Sequence, residues 1–112
     1  MNDAIRKLLF DVLMACEQIE LFNANKTLLE YEQNAMQRAA TERMFEIIGE
    51  ALARLTKIAP EIADQITDRV SIVAFRNRII HSYDTVDNRT VWGVYEGHLP
   101  VLKQQVQWLL KD

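Results

Sequence analysis

Apolar residues recur at intervals of three and four positions along most of this chain, which is the spacing of amphipathic α-helices. Four long stretches show this spacing, at about residues 2–23, 35–58, 69–81 and 89–110. Segments after residue 27 and between residues 60 and 66 predict one or two short helices. The chain has only three glycines and two prolines, which argues against a β-sandwich with many turns. The pattern therefore predicts an all-α fold, an antiparallel bundle of four main helices plus one or two short ones.

Residues that commonly cap helices stand where these helices are predicted to begin. The candidate N-caps are Asn2, Thr27, Asn34, Thr67 or Asp68, and Asp87 or Asn88. Thr27 is followed three residues later by Glu30, which matches the reciprocal pairing of a capping box. The candidate capping residues thus agree with the helix boundaries that the apolar spacing indicates.

Three residues mark predicted irregularities in the helices. Gly49 lies inside the longest periodic stretch and costs about 1 kcal/mol relative to alanine, so we expect another helix to cross there. Pro60 is predicted to end that helix. Pro100 lies inside the last stretch and predicts a kink or break near residues 97–98.

Length and composition predict a single domain over residues 1–112 with a modest hydrophobic core, since 49% of the 112 residues are hydrophobic. No apolar run approaches the ~18 residues of a membrane span, and the first residues do not resemble a secretory leader. We therefore expect a cytoplasmic protein with no membrane partner. Cys16 is the only cysteine, so no intrachain disulfide can form, and it is predicted to be a small buried hydrophobe.

The net charge of −3 argues against a protein that binds duplex nucleic acid through a broad basic face. Residues 1–64 carry seven Lys/Arg against eleven Asp/Glu, whereas residues 65–112 carry six against five. Any contact with RNA should therefore centre on the second half of the chain. The candidate contacts there are Arg69, Arg76, Arg78 and Arg89.

The densest set of chemically useful side chains is the segment Arg76-Asn77-Arg78-Ile79-Ile80-His81-Ser82-Tyr83. A guanidinium presents a rigid fork of donors to phosphate oxygens, and imidazole can exchange protons near neutral pH. On a helix, Asn77 and His81 share a face and Arg76 lies beside them. The set could cleave a phosphodiester without a metal, although an Arg and a His five residues apart also occur on ordinary solvated helices.

Other candidate chemistry in the sequence is weaker. Glu50, beside Gly49, could be a catalytic acid, or its carboxylate could make a structural hydrogen bond or be simply solvated. His98 has no suitable neighbour for catalysis and is predicted to lie on the surface at a helix irregularity. The cysteine and histidine spacing fits no zinc site, and no glycine-rich loop is present to hold a phosphate. We therefore expect no metal and no cofactor.

The pattern Arg76-Asn77, His81 and Tyr83 resembles the HepT family of HEPN-domain toxins. The similarity extends to the segment 47–51, which looks like the long-helix signature of that family, and it covers nearly the whole chain. The resemblance implies a metal-independent endoribonuclease toxin with Arg76, His81 and Asn77 as catalytic residues. It also implies a homodimer in which both motifs face one cleft and two copies of His81 are available.

The same resemblance implies a regulatory partner. In HepT systems the cognate antitoxin is a minimal nucleotidyltransferase of the MntA type, which transfers AMP from ATP to a tyrosine. The tyrosine at the matching position is Tyr83, two residues after His81. This chain would then belong to a type VII-like toxin–antitoxin system.

Two other functions remain open at this point. The chain could be a catalytically silent HEPN adaptor that binds a nucleotide or assists a nucleotidyltransferase. It could also be an all-α oligomerisation module, although that function would leave the motif unexplained.

Overall fold

The structure is a computed structural model, and it describes residues 1–82 and 86–111. Within these ranges it contains helices and no strand, which confirms the predicted all-α class. The helices are α1 (Asp3–Asn23), α2 (Leu28–Gln33), α3 (Ala35–Ile58), α4 (Pro60–Ala63), α5 (Arg69–Ile80), α6 (Asn88–Gly97) and α7 (Leu99–Leu110). Helices α6 and α7 are the two halves of the predicted last helix, so the bundle has four main helices and two short ones.

Helix α3 is the centre of the bundle. It packs against α1 in the most extensive helix pair, and against α5 on another side. Helix α7 packs on α1, and α6 contacts α2 and α7. The fully buried side chains at the centre are Leu9, Val12, Cys16, Ile19, Phe45, Ile48, Leu52 and Leu55. Their positions on α1 and α3 follow the spacing of three and four that predicted these helices.

Four of the predicted N-caps form as expected. Asn2, Thr27, Asn34 and Asp87 each accept a hydrogen bond from a backbone N–H in the first turn of the helix that follows. Thr27 and Glu30 complete the capping box. The prediction for the start of α5 is wrong in its detail, because Asp68 occupies the N-cap position without a capping hydrogen bond from its side chain.

The predicted break in the last helix is confirmed. Helix α6 ends at Gly97, and α7 starts at Leu99 with Pro100 in its first turn. Proline is tolerated there because the first N–H groups of a helix have no partner within it. The short helix α4 begins at Pro60 and ends at Ala63, earlier than the predicted limit near residue 66.

A buried polar network connects the end of α1 with the start of α3. The amide nitrogen of Asn23 donates to the backbone oxygen of Ile19 at 2.8 Å and to the hydroxyl of Thr41 at 3.1 Å. Gln37 donates to the side-chain oxygen of Asn23 at 2.8 Å. Because buried amides are costly without partners, this network fixes how α1 and α3 meet.

Cys16 is fully buried in the core, as predicted. Burial is the main reason that its pKa is raised to about 12, and the nearby carboxylate of Glu20 adds to the effect. The thiol therefore remains protonated and unreactive near neutral pH.

Several large apolar side chains remain exposed on the outer faces of α1, α5 and α7. They include Phe10, Leu21, Val70, Ile80, Val101 and Trp108. None of the helices formed by residues 1–82 and 86–111 combines the length and apolarity needed to cross a membrane. Exposed apolar groups mark a contact surface only where they form a contiguous patch.

Candidate functional site

Helix α5 is anchored to the bundle by one face. Ile72, Phe75 and Ile79 are buried, and they recur at the three- and four-residue spacing that places them on one side of a helix. The ring of Phe75 meets the ring of Phe45 on α3 edge to face, with centroids 5.3 Å apart. The helix that carries the motif therefore has a fixed position against α3.

The opposite face of α5 is open. Val70, Ala74, Asn77 and His81 lie outside the buried core, and their spacing of four, three and four residues places them on one stripe. Arg76 lies between this stripe and the buried face, and its side chain is partly buried against α3. The structure thus places Asn77 and His81 at the C-terminal end of the open face of α5, with Arg76 at the edge of that face.

Arg76 and Asn77 contact each other directly. Nη1 of Arg76 donates to the side-chain oxygen of Asn77 at 2.8 Å. Nε of Arg76 is buried and has no hydrogen-bond partner among residues 1–82 and 86–111. The guanidinium is therefore held at one nitrogen by Asn77, while the aliphatic stem of Arg76 packs against α3. A restrained guanidinium of this kind suits recognition of a phosphate oxygen.

His81 is the C-cap residue of α5. Its backbone N–H donates to the backbone oxygen of Asn77 at 3.1 Å, which continues the helical pattern by one residue. The side chain of His81 is exposed and lies one turn beyond Asn77 on the same face. The predicted sharing of a face by Asn77 and His81 is thus observed.

The other arginines are distributed more widely. Arg78 is exposed in the last turn of α5, and Arg89 lies in the first turn of α6. Arg69 begins α5, and its guanidinium pairs with the carboxylate of Asp64 at 2.8 Å. Arg69 therefore lies two turns from Arg76 and already has an anionic partner.

The contact that the structure shows for Glu50 is with Arg54 and not with a residue of the motif. Its carboxylate pairs with Arg54 on the same helix at 3.3 Å, and both side chains are exposed. This pair has the ordinary i,i+4 geometry of a solvated helix face. The solvated alternative for Glu50 therefore agrees with its surroundings.

Tyr83 lies outside the described residues, so its predicted position near the cleft stays a prediction.

The sequence did not predict the contact that His98 makes. Nδ1 of His98 lies 3.0 Å from a carboxylate oxygen of Asp68, at the opposite end of α5 from His81. Beside it, Gln105 donates to the hydroxyl of Thr67 at 2.7 Å and accepts from the Thr67 N–H at 3.0 Å. These pairs connect the start of α5 with α7 and with the junction before it. No local sequence signal predicted these contacts, because the partners are 30 and 38 positions apart along the chain.

Potential metal ligands are dispersed over the part of the chain that the structure describes. Within residues 1–82 and 86–111, no group of three or more His, Cys, Asp or Glu side chains is arranged to hold a metal ion. The described residues that could contact an anionic ligand at the motif are Arg76, Asn77, Arg78 and His81.

Comparison with known proteins decides the family. The family described as "Ribonuclease HepT-like" matches residues 12–109, which include the whole motif. This chain is a HepT-like protein. Its arginine, asparagine and histidine on α5 are thus part of a fold shared with ribonucleases of that family.

Individual relatives of this HepT-like chain cover almost its full length. "Putative RNase MJ1216" of Methanocaldococcus jannaschii is 30% identical over 96% of this chain and 88% of its own. "Probable ribonuclease HepT" of Thermococcus cleftensis is 29% identical over 90% of this chain and 91% of its own. "Putative RNase TTE0752" of Caldanaerobacter subterraneus is 27% identical over 95% and 94%. No solved structure matches the chain at a significant level.

Proposed function

We propose that this protein is a metal-independent endoribonuclease, the toxin of a MntA/HepT-type toxin–antitoxin pair. One observation carries the proposal: this HepT-like chain has the hydrogen-bonded pair Arg76 and Asn77 near the end of α5 and His81 at the C-cap one turn later. Arg76 is already oriented by Asn77 at 2.8 Å, and His81 follows one turn later. These are the groups that a phosphodiester needs for charge stabilisation and proton transfer.

In the proposed reaction the ribose 2′-oxygen attacks the adjacent phosphorus. One His81 accepts the 2′-hydroxyl proton as the new oxygen–phosphorus bond forms, and a second imidazole donates a proton to the departing 5′-oxygen. Arg76 stabilises the charge on the non-bridging oxygens, and Asn77 orients the phosphate together with the guanidinium of Arg76. The products are a 2′,3′-cyclic phosphate and a 5′-hydroxyl.

The need for two imidazoles supports a homodimer. An in-line displacement needs a base and an acid on opposite sides of the phosphorus, and each chain has one histidine in its motif. Val70 in the first turn of α5 is 69% exposed and Ile80 in the last turn is 42% exposed, so apolar side chains remain uncovered along the motif helix. A two-fold axis beside α5 would cover them and bring the two copies of His81 to one cleft.

The proposed RNA interface extends beyond the catalytic set. Arg78 and Arg89 lie in the second half of the chain, where the acidic excess disappears. We propose both as phosphate contacts, with Arg69 as a weaker one because Asp64 already pairs with it. Since the formal charge of the chain is −3, contact should be local and should depend on these few arginines.

We also propose that a minimal nucleotidyltransferase antitoxin of the MntA type transfers AMP to Tyr83. The tyrosine oxygen would attack the α-phosphorus of ATP, lose its proton and release pyrophosphate. The adduct adds a phosphodiester charge and an adenosine near Arg76 and Arg78, where it would compete with RNA phosphate. Intact-mass measurement after incubation with antitoxin and ATP tests this. An AMP adduct mapped to a residue other than Tyr83 would exclude the proposed switch.

The proposed chemistry is tested by incubating purified protein with RNA in the presence and absence of EDTA. Cleavage should persist in chelator, because Arg76 and His81 provide the charge stabilisation and proton transfer. Complete loss of cleavage in EDTA, with recovery on addition of magnesium, would exclude the metal-independent mechanism. Absence of cleavage under every condition would exclude the nuclease itself.

A further inference from the structure

Gly49 lies at the point where α3 meets the stem of Arg76. A Cβ atom built on Gly49 would lie 2.3 Å from Cβ of Arg76, 2.6 Å from Cγ and 3.3 Å from Cδ. The first two distances are too short for real carbon contacts. The arginine stem therefore occupies the space that any side chain at position 49 would need.

Rotation of the arginine side chain cannot remove this conflict. The position of a Cβ atom is set by the backbone, so the 2.3 Å contact is unchanged in every rotamer of Arg76. Ordinary carbon–carbon contact needs about 3.5–4.0 Å, so an alanine at position 49 would push α5 away from α3 by about 1 Å. Gly49 thus sets how closely the motif helix approaches the centre of the bundle.

The guanidinium of Arg76 depends on that approach. Its Nε is buried, and its Nη1 donates to Asn77 at 2.8 Å. We propose that Gly49 is a positioning residue, which fixes the guanidinium of Arg76 for contact with the RNA phosphate by letting its stem lie directly on α3. This inference rests on the proposed nuclease function and adds a residue of α3 to the site.

The chain provides a matched control in Gly93. This glycine also lies inside a helix, α6, but a Cβ built on it meets no atom within 4 Å. Gly49→Ala and Gly93→Ala therefore make the same chemical change, and both gain helix propensity. They differ in the contact with Arg76.

The test measures RNA cleavage and the NMR signal of the Arg76 Nε–H group, which Arg76→Lys identifies by its disappearance. Gly49→Ala should lower kcat/KM by ~10²-fold, the effect of a misplacement of about 1 Å, and should shift the Arg76 signal. Gly93→Ala should leave both unchanged. A folded Gly49→Ala protein that cleaves at the wild-type rate would overturn the inference. So would a decrease in rate without any change in the Arg76 signal.

If Gly49→Ala does not fold, the double variant Gly49→Ala/Arg76→Gly tests whether the clash with Arg76 is the cause. The second change removes the atoms that the alanine methyl would meet, so helical circular dichroism should return. A double variant that still fails to fold would overturn the assignment of the conflict to Arg76. The NMR readout needs no RNA, so it tests the positioning even if the wild-type protein proves not to be a nuclease.

Discussion

A histidine lies at each end of helix α5, and the surroundings of the two histidines differ. His98 approaches the N-terminal end, where its ring lies 3.0 Å from the carboxylate of Asp68. His81 caps the C-terminal end, where it follows the pair formed by Arg76 and Asn77. The helix is 12 residues long, so the two sites are separated by about 18 Å along its axis.

A carboxylate can orient a histidine ring at a structural contact between helices as well as at a catalytic site. His98 has the orienting carboxylate that many catalytic histidines have, but the neighbouring pair of Thr67 and Gln105 forms a contact between helices. At His81 the nearby groups are cations and an amide, which suit an anionic substrate. The two ends of α5 therefore differ in the groups beside each histidine, and only those beside His81 match the proposed RNA substrate.

Apart from the loss of His81 itself, the largest effect is expected from Arg76→Ala. Removing the group that stabilises the developing charge should reduce cleavage by ~10²–10³-fold while the helical fold persists. Arg69→Ala is the matched control, because Arg69 is on the same helix and also has a buried Nε but pairs with Asp64. Single-turnover cleavage assays should show a small decrease for Arg69→Ala. Equal decreases for the two variants would contradict the placement of the site at the C-terminal end.

The next effect concerns assembly. Val70→Asp places a charge on the open face of α5, where Val70 is 69% exposed, and should convert the proposed dimer to an inactive monomer. Leu21→Asp on α1 is the control, since Leu21 is 71% exposed and far along the chain from the motif. Light scattering combined with cleavage assays measures both. Wild-type protein that is monomeric and active at micromolar concentration would rule out the shared cleft.

A smaller effect is expected from the arginines outside the catalytic set. Arg78→Ala and Arg89→Ala should each weaken RNA binding, because each removes a cation that neutralises a phosphate. The slope of log K against log salt should become shallower by about 0.7 for every single-strand phosphate that is no longer neutralised. Fluorescence anisotropy with a non-cleavable 2′-deoxy oligonucleotide at several salt concentrations measures this. An unchanged salt slope in both variants would show that neither arginine contacts an RNA phosphate.

The smallest effect is expected at the N-terminal end of α5. His98→Ala and Asp68→Asn should each lower the free energy of unfolding by about 0.2–1 kcal/mol, because the pair is partly exposed to solvent. Denaturant unfolding of both variants and their combination isolates the interaction between the two side chains. A large decrease of cleavage in folded His98→Ala would show that this end of the helix also takes part in the chemistry.

Local sequence signals predicted much of this fold. Asn2, Thr27 and Asn34 cap the helices that the apolar spacing indicates, and Pro100 follows a real break. These features depend on residues within one turn of each other, so neighbouring positions are enough to predict them. Gly49 was also predicted to mark a helix crossing, although the sequence could not identify the crossing residue as Arg76.

Contacts between distant residues could not be predicted in the same way. His98 and Asp68 are 30 positions apart, and Gln105 and Thr67 are 38 apart, so their meeting depends on how α5 and α7 are placed in the bundle. The candidate catalytic set could be predicted from the sequence because Arg76, Asn77 and His81 lie within six residues of one another. The hydrogen bond from Arg76 to Asn77 was not predicted, since adjacent residues on a helix do not normally face each other.

The most direct test of the central claim compares His81→Ala with His98→Ala in one RNA cleavage assay with end-group analysis. Wild type and His98→Ala should produce 2′,3′-cyclic phosphate and 5′-hydroxyl ends at similar rates. His81→Ala should be ~10²–10⁴-fold slower, because the group that transfers protons is missing. A folded His81→Ala protein that cleaves RNA as fast as wild type would contradict the account.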